Sequence, residues 1–354
     1  MKGGSMRISI GYILCCCYPF FSSFADLTPN KNYDILSLSS AFIDYVIKVN
    51  DEELSEMKYE KGSWAPIEYA SLQTLLKKND KKILSFSGGN GANVIKALAK
   101  IGQKCAVLGK IGSDEKAVFY LQCLKNLDIT PILHKGELPT GQAICFITPD
   151  GESTMRSYAG SSIDTQKIPL DLSIFHKIKL FHIEVYQLQN PVLLKEAIEE
   201  AKKQKAKISL DLCNKEMVKI YKDELLNIIP KYIDIIFCND REAFELTHLP
   251  PQEACDFLAS FCEIAVITMG GHGCWVKGGK IKFYTPAFQV DVVDTTGAGD
   301  LFASGFLHGY LNNAPLQTCA WIGSYLASKV VQNYGSEIPD STWKEIYKVL
   351  EEKS

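Results

Sequence analysis

The sequence predicts an α/β domain: a largely parallel sheet covered by helices on both faces, with a small β lid beside it. Three observations predict it. Near-continuously apolar strands alternate with amphipathic helices from about residue 33 onward. Two stretches, 44–66 and 137–160, break that rhythm with hairpin-like patterns. Residues 294–300, Asp-Thr-Thr-Gly-Ala-Gly-Asp, form a Gly-rich turn that opens an apolar helix.

The elements follow in order. YDILSLSS (33–40) reads as a buried strand, with Asp44 placed at its carboxyl end. Asn90–Ile101 reads as a helix, KCAVLGKIG (104–112) as a strand and turn, and Glu115–Leu127 as a second helix. KIKLFHIE (177–184) is a strand and Pro191–Gln204 an amphipathic helix, with proline at its tolerated first position. KISLDL, IDIIFC and IAVITMG are further buried strands. Three helical segments after residue 296 close the domain. Within the second irregular stretch, Pro149-Asp150-Gly151 supplies turn chemistry between two extended runs. Residues 31–354 therefore read as one domain with an inserted lid, and the exposed edges of the lid sheet offer a route to a homodimer.

Composition narrows the function classes. The chain has 354 residues and a formal charge of -3, with acids and bases interspersed. No basic block suggests nucleic acid. Twelve cysteines include no Cys-x-x-Cys pair, and most lie in apolar runs, as in KCAVLG and AICFIT. They read as reduced, buried thiols rather than disulfides or zinc ligands. The histidines have no metal-ligand spacing. Residues 1–30 read as an extension, either signal-like (Lys2 and Arg7 before the apolar run Ile8–Phe24) or an over-extended start, with stable membrane association not expected.

The turn at 294–300 carries the chemistry. Backbone N–H groups at a helix start have no partner inside the helix, so they face an anion with the helix dipole behind them. Gly297 and Gly299 allow close approach to the backbone. Asp300 is unsuited to binding an anion and suited to act as a base beside one. A helix N-terminus should hold such a carboxylate below its usual pKa. Other candidates are weaker alone. Ser87-Gly88-Gly89-Asn90-Gly91-Ala92-Asn93 opens a helix, and Asn93 could pair with a sugar hydroxyl. Asp44 could accept two hydroxyls of a polyol, or be a surface carboxylate. Asn239 and Glu242 fit either a phosphate and metal-water site or a capping box. Thr268, Gly270 and Gly273 lie in a turn able to wrap phosphates, or in a plain hairpin.

In order and placement these motifs resemble the ribokinase/PfkB carbohydrate-kinase family, over residues 33 to about 340. DTTGAGDLFASGFLHG is similar to its C-terminal signature, and SGGNGANVIKALAKIGQKCAVLGKIGSDE to its N-terminal one. The resemblance implies a ribokinase-like three-layer α/β/α fold with a β-sheet lid, and an ATP-dependent kinase using Mg²⁺. Asp300 would be the general base, and the amides of Gly297, Ala298 and Gly299 the anion hole. Asp44, Gly88, Gly89 and Asn93 would contact a sugar. Asn239, Thr268, Gly270 and Gly273 would bind nucleotide, and Glu242 would hold Mg²⁺ through water. A monovalent cation stays open. Asp150–Met155 and Tyr158-Ala159-Gly160 resemble the adenosine kinase-like branch, which implies a ribonucleoside acceptor, adenosine first, with a free sugar as the alternative. Phe42, Tyr45, Phe146 and Tyr158 are candidates for a base slot, or for lid core. That branch usually carries Arg where this chain has Ser153, and Arg156 should face the other side of an extended strand. The loss of that Arg keeps a catalytically silent, ligand-binding member in play. The need for ATP implies a cytoplasmic location.

Overall fold

The computed structural model describes residues 32–79, 83–163 and 170–353, so the extension at 1–30 lies outside the described residues. In chain order the strands are β1 (Ile35–Leu38), β2 (Phe42–Lys48), β3 (Trp64–Pro66), β4 (Ile83–Gly88), β5 (Cys105–Ile111), β6 (Thr130–Lys135), β7 (Gly141–Ile147) and β8 (Ser153–Tyr158). They continue with β9 (Leu180–Glu184), β10 (Lys207–Asp211), β11 (Ile235–Asn239), β12 (Ile264–Thr268), β13 (Cys274–Gly278) and β14 (Ile281–Thr285). The helices are α1 (Asp51–Glu56), α2 (Tyr69–Lys78), α3 (Asn90–Lys100), α4 (Glu115–Asn126), α5 (Pro191–Lys203) and α6 (Lys215–Ile220). After them come α7 (Lys222–Tyr232), α8 (Asp240–Thr247), α9 (Pro251–Leu258), α10 (Ala298–Leu311), α11 (Leu316–Val330) and α12 (Asp340–Glu351).

Among the described residues, nine strands form one sheet in the order β14-β13-β12-β11-β10-β9-β1-β5-β6. From β12 to β6 every pairing is parallel, and β13 and β14 add an antiparallel edge hairpin. The strands alternate between two cores. Leu36, Leu108, Phe181, Leu210 and Ile236 pack beneath α5 to α9. Ile35, Val107, Leu180, Ile235 and Val266 pack beneath α3, α4, α10 and α11. Burial on both faces, at about 1.5–3 kcal/mol for each large apolar side chain, explains why these strands lack a polar face. The result is the expected three-layer α/β/α arrangement with a largely parallel sheet.

The small sheet has the order β3-β8-β7-β2-β4. It is larger than the two irregular stretches suggested, because β4 joins it along Phe42–Ile47 of β2. Asp44 is thereby relocated. It is the third residue of β2 in the small sheet, and the first strand of the large sheet ends earlier, at Leu38. The run from Ile35 to Lys48 reads as continuous strand in sequence, but the chain passes from one sheet to the other at Ser39–Ala41.

One face of the small sheet carries Ile47, Ile144 and Phe146, and Tyr45 and Tyr158 pack with them against Leu54 of α1 and Leu72 of α2. Those aromatic rings are core, not base slot. The other face carries Asp44, Val46 and Cys145, with Phe86 in register with Asp44 and Met155 with Cys145. Helices α1 and α2 cover the face carrying Ile47, Ile144 and Phe146, and the strand order makes β3 and β4 the edges of the small sheet.

Candidate functional site

The carboxyl ends of β1, β9, β10, β11 and β12 point toward one margin of the large sheet, where open parallel α/β sheets bind ligands. The Gly-rich turn and α10 meet that margin. Gly297 caps α10 at φ 79°, and a Cβ there would lie 2.7 Å from Ser336 Cβ, so only glycine fits the turn. A Cβ on Gly299 would meet nothing within 4 Å, so its backbone faces open space. Two acceptors shape the turn from within. Asp294, fully buried, takes the N–H groups of Thr296 (2.8 Å) and Gly335 (2.7 Å). The Thr295 carbonyl takes the N–H of Ala298 at 3.2 Å. The amides of Gly297 and Gly299 keep no backbone partner among the described residues, whereas that of Ala298 is turned inward.

Asp300 lies in the first turn of α10 and is 4 % exposed. Asn90 Nδ2 donates to one carboxylate oxygen at 3.0 Å and Asn93 Nδ2 to the other at 2.8 Å. Asn93 in turn accepts from Ser336 Oγ at 3.1 Å. Its amide therefore aims the carboxylate. Burial raises Asp300 to about 7, against the two asparagine bonds, and the charges of Asp211 and Glu184 push the same way. This reverses the expected depression. A helix dipole contributes about 0.3–1 kcal/mol, whereas full burial can move a carboxyl by about 3–5 pKa units, so burial wins.

Asp44 lies beside Gly88. A Cβ on Gly88 would stand 2.1 Å from Asp44 Oδ2, so the carboxylate occupies the space a side chain would need. Gly89, at φ 98°, presses against the Ser40 carbonyl, 2.0 Å from its own would-be Cβ. These two glycines join the small sheet to α3. Burial raises Asp44 to about 6, with Lys96 opposing and Glu337 and Asp294 reinforcing the shift.

Asn239 and Glu242 form a complete capping box at the start of α8. Asn239 Oδ1 accepts from Glu242 N–H (2.9 Å), and Glu242 accepts from both the Asn239 N–H and its Nδ2 (2.8 Å each). Glu242 is 3 % exposed, and burial with the Asp211 charge raises it to about 8. Asn239 and Thr268 are register partners on β11 and β12. Gly270 and Gly273 lie in the β12–β13 turn, with a would-be Cβ of Gly270 in open space and that of Gly273 2.1 Å from the Thr285 carbonyl. No hydrogen bond joins this turn to Asp300 among the described residues.

Several residues escaped the sequence reading. Glu184, at the end of β9, accepts from Gly91 N–H (2.7 Å), Ser40 N–H (2.9 Å) and Gln187 Nε2 (3.0 Å), so it ties α3 to the end of β1. Asp211 ends β10, is buried, and lies near enough to raise both Asp300 and Glu242. The β7–β8 turn also touches the Gly-rich turn. The Gly151 carbonyl accepts from Thr295 N–H and Oγ1 at 3.1 Å each, and Ser153 Oγ lies 3.3 Å from Thr296 Oγ1. Arg156 faces the opposite side, stacked 4.0 Å from the Tyr59 ring centroid, as strand alternation requires. Among the described residues no group of three His, Cys, Asp or Glu converges to hold a metal ion directly, and no helix is long and apolar enough to cross a membrane.

The pfkB family carbohydrate kinase model matches residues 65–343. The chain is 28% identical over 278 residues to a cytidine kinase from Thermococcus kodakarensis, covering 76% of this chain and 96% of the relative. It superposes on the adenosine kinase from Sinorhizobium meliloti with a TM-score of 0.85 at 25% identity, covering 92% of this chain and all of the other (100%). A probable sugar kinase from Rhizobium etli gives 0.84 at 27% identity, with 91% and 99% covered. A cradle of helix-start amides beside a buried carboxylate, on this fold and with these relatives, identifies the chain as a member of the pfkB family of carbohydrate kinases, a sugar or nucleoside kinase.

Proposed function

We propose that the chain transfers the terminal phosphoryl group of Mg-ATP to a primary hydroxyl of a ribonucleoside, adenosine first, with Asp300 accepting the hydroxyl proton. The observation that carries this reading is Asp300 itself: buried, held by Asn90 and Asn93, and one residue from the open amide of Gly299. A base poised near neutral pH beside an anion cradle suits proton removal from an alcohol as a phosphoryl group arrives. In a loose transition state the proton leaves late, so alignment by Asn90 and Asn93 matters as much as basicity. Gly297 and Gly299 donate to the transferring group, while Ala298 must first give up its bond to Thr295.

Mg²⁺ held through the donor phosphates and water would neutralise phosphate charge. Asp211 and Glu242 suit such a hydrated ion, since both carboxyls are buried with no cation among the groups that act on them. Asn239 and Thr268, paired on adjacent strands, would face the nucleotide, and Gly270 and Gly273 would border it. The turn holding Gly151 and Ser153 would act as the lid's edge, excluding water over the Gly-rich turn. Use of ATP puts the reaction in the cytoplasm.

Asp44 accepts no hydrogen bond from any described residue, which suits a carboxylate that takes acceptor hydroxyls. Each hydrogen bond to a charged group is worth about 1.5–3 kcal/mol. Asp44→Ala is therefore expected to raise the acceptor KM by about 10- to 100-fold or more, with a smaller change in kcat; an unchanged KM would remove Asp44 from the acceptor site. A pH profile gives a second check. Asp300 works only when ionised, so kcat/KM should fall about tenfold per pH unit as pH drops below about 7. A profile flat down to pH 5 would exclude a base with this environment.

A free sugar such as ribose or fructose is the second reading, and the small sheet favours it in one respect. Tyr45, Phe146 and Tyr158 face away from the cleft. A base slot would have to come from Phe42, Phe86, Met155 and Tyr334, on or against the face that bears Asp44. An ATP-coupled assay with adenosine, cytidine, ribose and fructose separates the readings by which acceptor gives the largest kcat/KM.

A further inference from the structure

Lys96 lies one turn beyond Asn93 on α3 and is 7 % exposed. A buried ammonium needs partners, because its desolvation costs several kcal/mol. Its Nζ donates to the Ser87 carbonyl, to Ser87 Oγ at 3.0 Å and to Glu337 Oε1 at 3.4 Å. Ser87 and Gly88 are the last residues of β4, the strand on which the Asp44 carboxylate rests. Lys96 thus pins the backbone that shapes the Asp44 site.

Charge gives it a second task. The groups facing Asp44 are Lys96 from α3, Glu337 from the segment after α11, and Asp294 from the segment before α10. Cys145 of β7 and Tyr120 of α4 are also close, both held in their neutral forms by burial. Lys96 is the one cation in that set, and it alone opposes the protonation of Asp44. Glu337, about half exposed, competes for the same ammonium. Ionised, the carboxylate accepts a hydroxyl hydrogen bond at each oxygen; protonated, one of its oxygens becomes a donor. The segment bearing Glu337 also supplies Gly335 to Asp294 and Ser336 to Asn93, so one loop touches the acceptor, anion and base positions.

We propose that Lys96 is a positioning residue for the acceptor: it fixes the end of β4 and keeps Asp44 ionised between Glu337 and Asp294, and Glu337 sets how much of its charge Asp44 receives. The inference rests on the reading of Asp44 as the acceptor contact. Its test has two arms. In protein carrying ¹³Cγ-labelled Asp, with Asp44→Asn to assign the signal, Asp44 is expected to titrate near pH 6. Lys96→Met should move that titration up by about one unit or more, Lys96→Arg should largely restore it, and Glu337→Gln should move it down. Glu337→Gln changes a half-exposed side chain and keeps the test alive if Lys96→Met does not fold. The second arm measures adenosine affinity at pH 7, which should weaken about twofold in Lys96→Met for a one-unit rise, as the ionised fraction falls from about nine-tenths to about one-half, and not weaken in Glu337→Gln. An Asp44 titration that stays put in both variants overturns the role of Lys96. A titration that moves while adenosine affinity does not would instead remove Asp44 from the acceptor site, and the acceptor role of Lys96 with it.

Discussion

Asp300→Asn is expected to lower kcat by about 10²- to 10⁴-fold while ATP binding stays near normal, the range found for loss of a general base. The substitution keeps the side-chain volume and removes the charge. It also disturbs geometry, because Asn90 and Asn93 both donate to the carboxylate and would then face an NH₂ group on one side. One of the two would have to flip or lose its bond. Asn93 can turn only by giving up Ser336, so part of the loss would be misalignment. The two contributions are separable. Asn90→Ala keeps the carboxylate and removes one aiming bond, and its smaller loss of kcat measures alignment alone. Turnover close to wild type in Asp300→Asn, with single-turnover kinetics showing chemistry to be rate-limiting, would refute the assignment.

Glu184→Ala is expected to cost about 2–5 kcal/mol of stability, the largest single loss among the polar groups described. The carboxylate is 1 % exposed and accepts from two backbone amides and a side-chain amide. Its removal strands the N–H groups of Ser40 and Gly91 in a buried setting, at about 1–3 kcal/mol for each donor left unmade. Ser40 lies in the crossing from the large sheet to the small one, and Gly91 lies between Asn90 and Asn93 at the start of α3. Loss of the tie should therefore loosen Asp300's two amide partners as well as the fold. Glu184→Gln retains an acceptor oxygen and should recover part of the stability. Denaturant midpoints with unchanged m-values report the difference; a midpoint within error of wild type for Glu184→Ala would show the two amides find other partners.

The fold was legible where local chemistry decides it. Apolar runs such as KISLDL and IDIIFC could be read as parallel strands because both faces are buried. Asn239-x-x-Glu242 was legible as a cap and is one. Asp44 was misplaced because the crossing at Ser39–Ala41 has no breaker: the residues on either side suit a strand, and only the pairing with β4 and β7 reveals a second sheet. Glu184, Asp211 and Asp294 were invisible for a related reason. Each is an acid at the end of a strand or in a turn, and its value comes from amides and charges distant in sequence, such as Gly91, Glu242 and Gly335. The sign of the Asp300 shift belongs to the same class. A helix start is local and visible, whereas the burial that overrides it is assembled from α3, β9 and β10.

Ser153, the departure from the related branch, has a structural counterpart. Its hydroxyl meets Thr296 while the neighbouring Gly151 carbonyl holds Thr295, so the β7–β8 turn closes directly on the Gly-rich turn. An Arg side chain at 153 would have to pass through that contact. Arg156 does not replace it, since its guanidinium is committed to Tyr59 and Ser63 on the far face.

The most direct test is ³¹P NMR of the products formed from Mg-ATP with and without adenosine. The account predicts AMP and ADP in equal amounts beyond any basal hydrolysis, formed only when adenosine is present and abolished in Asp300→Asn. Release of inorganic phosphate at the same rate with and without adenosine, or AMP formation that survives Asp300→Asn, would contradict it.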